Sequence, residues 1–369
     1  TGTECREFEK EFAIWANSDY AIAMGNGTLA LDVALQALGL GEGDEVIVTP
    51  RTFIASISSV INAGATPVFA EVNEATGNIS PETIKAVLTD KTKAVICVHL
   101  AGWPCDMDGI MALADAHDLY VIEDCAQAHG ATYKGRSVGS IGHIGAWSFC
   151  QDKIMTTGGE GGMVTTNDEN LWRKMWAYKD HGKSYAAVYE TEHPPGYRWL
   201  HESFGTNWRM TEMQAVLGRI QLTRMPDWTA KRTANAQAIL DACAKWEAKG
   251  YLSVPRLEQT PEFADCTHAY YKLYVYVQPE NLPAGWSRDR IIAEINALKV
   301  PCFSGSASEV YLEKAFDDTG LRPAAPLPIA KQLGETSLMF LVHPTLTESE
   351  IEQTVQAIEQ VFTKMADAV

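Results

Sequence analysis

The chain has 369 residues, of which 46% are hydrophobic and 21% charged, enough for a well-buried core and for more than one lobe. Its net charge of −17 and pI near 5.0 argue against a general nucleic-acid or anionic-membrane binder, since either needs a basic surface. Anionic substrates must therefore be held by local groups.

The opening stretch TGTECREFEKEFAIWA has the pattern of an amphipathic helix rather than a signal peptide. No apolar run approaches the roughly 18 residues of a membrane span, so a soluble, cytoplasmic protein is expected. Short apolar runs then alternate with helical patterns: YAIAM (20–24), DEVIV (44–48), TPVFA (66–70), KAVICVHL (93–100), LYVIEDCA (119–126), GAWSF (145–149) and GGMVTT (161–166). Helical spacing fills gaps between them, as in TLALDVALQALGL and DMDGIMALADAHD. This alternation predicts an α/β fold with a mainly parallel sheet covered on both faces.

Residues 183–205 are rich in Tyr, His, Pro and Gly without a clear period and read as a long loop, of the kind that often carries function. Two helices follow, MTEMQAVLGRIQLTRM and MPDWTAKRTANAQAILDACAKWEA. A strand signal at 268–278 and the closing helix ESEIEQTVQAIEQVFTKMA predict a smaller α+β lobe. The expected division is a large domain over residues 1–235 and a small one over 236–369. Eight cysteines, at 5, 97, 105, 125, 150, 243, 266 and 302, show neither disulfide nor zinc spacing. No metal site is expected.

Three segments carry candidate chemistry. MGNGTLALDVAL (24–35) joins a strand to a helix through glycines, and the helix N-terminus with Thr28 can bind phosphate. Gly25, Gly27 and Ala30 also fit G-x-G-x-x-A, but the strand DEVIV lacks the acid at its end that a dinucleotide site requires. VIEDCAQAHG (121–130) delivers two acids, then Gln127 and His129, to the carboxyl end of a strand; Asp124 is the better placed to hold a protonated pyridine nitrogen. A plain turn cap would explain the same acids. In SFCQDKIMTTGGEGG (148–162) the lysine precedes the glycines, which excludes a Walker loop and leaves Lys153 free to form a Schiff base.

Together with EFEKEFA, GDEVIVTPRTFIAS, GATPVFAEV, GATYKGRSVGSIGHIGAWSF and GTNWRMTEMQAVLGRIQL, these segments resemble the DegT/DnrJ/EryC1/StrS family of sugar aminotransferases that depend on pyridoxal 5′-phosphate (PLP). The likeness runs through nearly the whole chain. It implies the fold type I (aspartate aminotransferase-like) architecture and a homodimer with active sites at the subunit interface. It also implies transfer of an amino group from an amino acid, L-glutamate expected, to a nucleotide-linked keto-sugar for cell-surface polysaccharide such as lipopolysaccharide, or for a related glycoconjugate. Carried over by position, Lys153 is the Schiff-base lysine, Asp124 the partner of the pyridine nitrogen, and Gln127 a contact to the 3-hydroxyl side. Gly27, Thr28 and Ser148 hold the phosphate, joined by Asn207 of the other subunit, and Phe53 stacks on the ring. His129 and His181 are candidate substrate contacts, and Lys183, Arg198 and Arg209 candidate diphosphate contacts.

Two related readings remain beside this one. A PLP-dependent sugar dehydratase of the wider family has histidine where Lys153 stands, and a non-catalytic regulator is expected to lose Lys153 or Asp124. The chain departs from many relatives in having both Gly158 and Gly159 before Glu160, and in the spelling between Phe149 and Lys153. The nucleotide, the sugar and the aminated carbon are left open.

Overall fold

The computed structural model describes residues 1–367. In chain order the N-terminal part comprises α1 (Thr3–Trp15), β1 (Tyr20–Met24), α2 (Gly27–Leu38), β2 (Glu45–Val48), α3 (Ala55–Asn62), β3 (Thr66–Phe69), α4 (Pro81–Lys85), β4 (Thr92–Val98), α5 (Met107–His117) and β5 (Tyr120–Asp124). A short hairpin, β6 (Thr132–Tyr133) and β7 (Arg136–Ser137), precedes β8 (Ile144–Ser148), β9 (Gly162–Thr166) and α6 (Glu169–Lys179). Then come α7 (Glu212–Leu222) and α8 (Met225–Ala248). The C-terminal part adds β10 (Leu252–Ser253), β11 (Leu273–Val277), α9 (Arg288–Ala297), β12 (Cys302–Phe303), α10 (Pro328–Thr336), β13 (Ser337–Phe340) and α11 (Glu348–Ala366).

The main sheet has the order β1-β9-β8-β5-β4-β2-β3, and β9 alone runs against its neighbours. Its strands coincide closely with the seven apolar runs of the sequence. Strands covered on both faces bury every other residue as well, which is why KAVICV and IGAWS read as continuous apolar runs. Because β1, β2, β4, β5 and β8 are parallel, their carboxyl ends open on one edge, and the turns that follow them meet there.

Helix α1 packs beside β1 and reaches the end of β8 through rings: Phe12 lies 5.2 Å from Trp147 and 5.5 Å from Phe149, and Phe8 lies 5.5 Å from Phe149. Helix α7 packs on α1 at Gly218, where a Cβ would sit 2.5 Å from the Phe8 ring. The second sheet, β10-β11-β13-β12, is antiparallel and shares a core with α8, α9 and α11 around Trp246, Phe340 and Phe362. Helix α8 is continuous through residue 235: Met225 belongs to the N-terminal core, whereas Ala236, Ile239 and Trp246 belong to the C-terminal one. The division expected at residue 235 therefore falls inside a rigid element that both cores share. Part of the expected 183–205 loop is a π-helical turn, Ala186–Glu190, anchored by Tyr185 against Trp172 at 4.7 Å.

Phe12→Ala removes a fully buried ring and its contacts with four aromatic neighbours. Urea denaturation should show a loss of about 3–5 kcal/mol.

Candidate active site

A cavity of about 820 Å³ opens at the carboxyl edge of the main sheet. Gly27 and Thr28 reach it from the turn after β1, Thr52–Ser56 from the segment after β2, and Asp124 and Gln127 from β5 and beyond. Ser148 and Lys153 follow β8, while Tyr271, Ser306, Ala307 and Glu313 come from the C-terminal part. A separate cleft of about 910 Å³ around Arg256, Gln278 and Lys331 contains none of the expected site residues.

Strand alternation separates the two acids of β5. Glu123 is fully buried and accepts four hydrogen bonds, from Ile141 N at 2.9 Å, Gly142 N at 2.6 Å, Gly139 N at 2.8 Å and His99 Nε2 at 2.9 Å. The Cys105 amide donates to His99 Nδ1 at 2.9 Å, so the imidazole proton sits on Nε2 and points at Glu123. Burial alone would push the Glu123 pKa up, but these donors hold it below the ordinary carboxylate value. His99, Glu123 and Cys125 stand close enough to ligate a metal, yet both Glu123 oxygens already accept hydrogen bonds from the protein.

Asp124 faces the cavity, with Ser56 Oγ 2.8 Å from Oδ2 and Ala126 N 3.1 Å from Oδ1. Burial raises its pKa above the ordinary value despite these bonds and the attraction of Lys153. A cation placed against it lowers that cost. Gln127 Oε1 accepts the Ala101 amide at 2.8 Å, so the group it can offer the cavity is its NH₂ donor. At the tip of α2, Asn26 caps the Leu29 amide at 3.0 Å and the amides of Gly27 and Thr28 stand foremost. Gly27 is required there, because a Cβ would lie 2.5 Å from Ser148 Cβ.

Lys153 is 15% exposed, with Nζ 3.6 Å from Asp152 Oδ2 and 5.2 Å from the Tyr271 ring centroid. The doubled glycine has a conformational reason. Gly158 and Gly159 have φ of 89° and 129°, and a Cβ on Gly158 would meet Leu217 at 2.7 Å. The loop thus folds back on α7, where Gln221 accepts the Thr156 amide at 2.7 Å.

Phe53 is 69% exposed beside the cavity, so it is no core phenylalanine. The structure does not bring the two candidate histidines to this cavity. His129 is fully buried 5.3 Å from Trp147 and 5.7 Å from Phe149, and burial lowers its pKa to about 3. His181 is exposed on a left-handed turn at φ 62°. Asn207 is exposed too, bridged to Asp180 away from the cavity lining. Lys183 and Arg209 pair with Asp180 at 3.3 and 2.8 Å, and Arg198 is exposed. Sequence reasoning missed Ser56, Asp152, Tyr271 and Glu313. Asp152 stands in the unusual spelling before Lys153, which was the one signal for it; nothing in the local spelling marks Ser56, Tyr271 or Glu313, which only the fold brings to the site.

The residues present fit a flat, phosphorylated ligand with a cationic ring nitrogen: a buried carboxylate raised by burial, a nearby amine, and a helix-tip cradle that glycine keeps open. The class is that of the PLP-dependent aminotransferases of fold type I, to which the matching solved structures point. An aminotransferase from Psychrobacter cryohalolentis is 86% identical, with a TM-score of 0.98 over 99% of this chain and 93% of that one. Streptomyces venezuelae DesV is 31% identical, with a TM-score of 0.84 over 98% of this chain and 89% of that one. GDP-perosamine synthase of Caulobacter vibrioides is 37% identical over 360 residues, covering 96% of this chain and 89% of the relative. Residues 1–359 match the DegT/DnrJ/EryC1/StrS aminotransferase family, and the chain belongs to it.

Glu123→Gln cannot accept all four donors and should cost about 3–5 kcal/mol in urea denaturation at neutral pH. Glu123 titrates lower in the folded chain than its unfolded value of 4.5, so its charge favours folding above that value. Wild-type stability should lose this contribution as pH falls through the folded pKa, and the variant should lack it.

Proposed function

We propose that the protein transfers an amino group from an amino acid, L-glutamate expected, to the carbonyl of a nucleotide-linked keto-sugar. The amino sugar would serve cell-surface polysaccharide or a related glycoconjugate made in the cytoplasm. The observation that carries the reading is Lys153 and Asp124 in one cavity of a chain that matches a GDP-perosamine synthase over nearly its whole length. Lys153 speaks against the dehydratase reading, and the presence of both residues against a regulator without chemistry.

PLP supplies the electron sink that makes the substrate carbon acidic. Asp124 holds the proton on the ring nitrogen, and the same pairing relieves its own burial. The amides of Gly27 and Thr28 with the Ser148 hydroxyl bind the phosphate at the positive end of α2. Gln127 would offer its NH₂ to the 3-hydroxyl side, and Phe53, exposed beside the cavity, would be the aromatic to stack on the ring. Lys153 Nζ would take the proton from the amino donor's carbon and hand it to the adjoining cofactor carbon, and in the second half would move a proton the opposite way, onto the sugar carbon that receives the amino group.

A second copy of the chain completes this site. Support comes from α7, where Met213, Val216, Leu217 and Ile220 form an exposed apolar stripe at 78%, 38%, 42% and 48% exposure. Phe204 is fully exposed near Asn207 in the chain, as expected of a segment that another subunit covers. In the dimer Asn207 of one copy reaches the phosphate bound by the other.

Borohydride treatment of the PLP-loaded protein should fix the cofactor to wild type and fail to do so in Lys153→Ala. Asp124→Asn should bind PLP yet lose most transamination, roughly 10²-fold or more; unchanged turnover would sink its role. Lys153→Ala and Asn207→Ala subunits, each inactive alone, should recover up to about a quarter of wild-type activity on mixing, because half of randomly paired dimers hold one intact site. No recovery, with mixed dimers shown to form, would place Asn207 outside the shared site.

A further inference from the structure

Asp152 is the charge that the unusual spelling before Lys153 introduces. Its Oδ2 lies 3.6 Å from Lys153 Nζ and accepts the Tyr271 hydroxyl at 2.5 Å. Tyr271 is 8% exposed and belongs to the segment ahead of β11, so the contact joins the lysine loop to the C-terminal part of the chain. The Tyr271 ring has Lys153 Nζ 5.2 Å from its centroid and Lys272 Nζ at 4.9 Å. Two ammonium groups near one ring disfavour each other's charge, and Asp152 is placed to offset that repulsion.

We propose that Asp152, braced by Tyr271, is a positioning residue for Lys153: it sets where Nζ sits and favours the proton on that nitrogen while the lysine is bonded to PLP. The inference rests on the Schiff-base role proposed for Lys153.

The groups facing Lys153 from the packed elements are few. Asp124 acts on it from β5. His129, buried behind, is held neutral at neutral pH. Lys272 opposes its charge, and Glu160 stands on the same cavity wall. Asp124 is committed to Ser56 and the Ala126 amide, and in the loaded protein it faces the ring nitrogen. Asp152 is the carboxylate that stands within ion-pair distance of Nζ, at 3.6 Å. Burial pushes its pKa up, but the Tyr271 hydroxyl and Lys153 more than offset this, so it is ionised at neutral pH.

The test is a pH titration of the visible absorption of the PLP-loaded protein, combined with borohydride reduction and peptide mapping. Asp152 is half exposed and Asn is nearly isosteric with it, so Asp152→Asn should fold and should still be labelled at Lys153. Its spectral midpoint should fall by about one pH unit, the effect of removing one close carboxylate from a cation. Asp152→Glu should move the midpoint back toward wild type. An unchanged midpoint in Asp152→Asn, with the label still on Lys153, overturns the inference and leaves the Lys153 reading standing. Absence of label on Lys153 in wild type overturns both.

Discussion

The site depends on what happens at the carboxyl end of β5, where two adjacent carboxylates point to opposite faces of the sheet. Glu123 points into the protein and is satisfied four times over, by three backbone amides of the 139–142 turn and by His99. That network locks the strand end to the neighbouring turn and fixes the pleat. Asp124 must then face the cavity, with two donors and a pKa raised by burial. One acid spends its charge on the fold, and the other retains a demand for a cation that a ring nitrogen can meet.

The rest of the cavity is assembled around that carboxylate from both parts of the chain. Arg51, fully buried, reaches Ser308 Oγ from Nε and the Tyr276 hydroxyl from Nη1, both at 3.2 Å. The Val310 amide donates to Pro50 O at 3.0 Å. The wall formed by Thr52–Ser56 is therefore tied to the wall formed by Ser306–Val310, and Tyr271 with Asp152 makes a second tie beside the lysine. The cavity's shape is set where these walls meet, by residues from both parts of the chain.

Charge leads to the same surface that the proposed second copy would cover. Within one chain the cavity presents Asp124, Asp152, Glu160 and Glu313 against Lys153 alone among the described residues. The cofactor's phosphate is an anion and needs a positive partner that these side chains do not supply. The helix tip of α2 is the element of this chain suited to an anion, and Arg198, Phe204 and Asn207 lie on an exposed segment that the cavity lining does not include.

Much was legible in the sequence because it depends on local physics. Parallel strands buried on both faces appear as apolar runs, and a helix tip that binds phosphate needs glycine at a close approach, so the sheet, Gly27 and the candidate pair Asp124 and Lys153 could be picked out from spelling alone. Proximity along the chain misled where strand ends turn: His129 lies two residues past Gln127 yet is buried among aromatic rings, and His181 faces solvent. The doubled glycine made sense only once two consecutive positive φ angles and Leu217 were in view. Ser56, Tyr271 and Asp152 come from segments up to 215 residues apart, and only tertiary packing brings their side chains around Asp124 and Lys153. The sequence by itself determined the strands, the helix tip and the reactive residue types, because these follow from nearest neighbours and periodicity. Which acid faces the cavity, and what holds the lysine, was decided by contacts between distant segments.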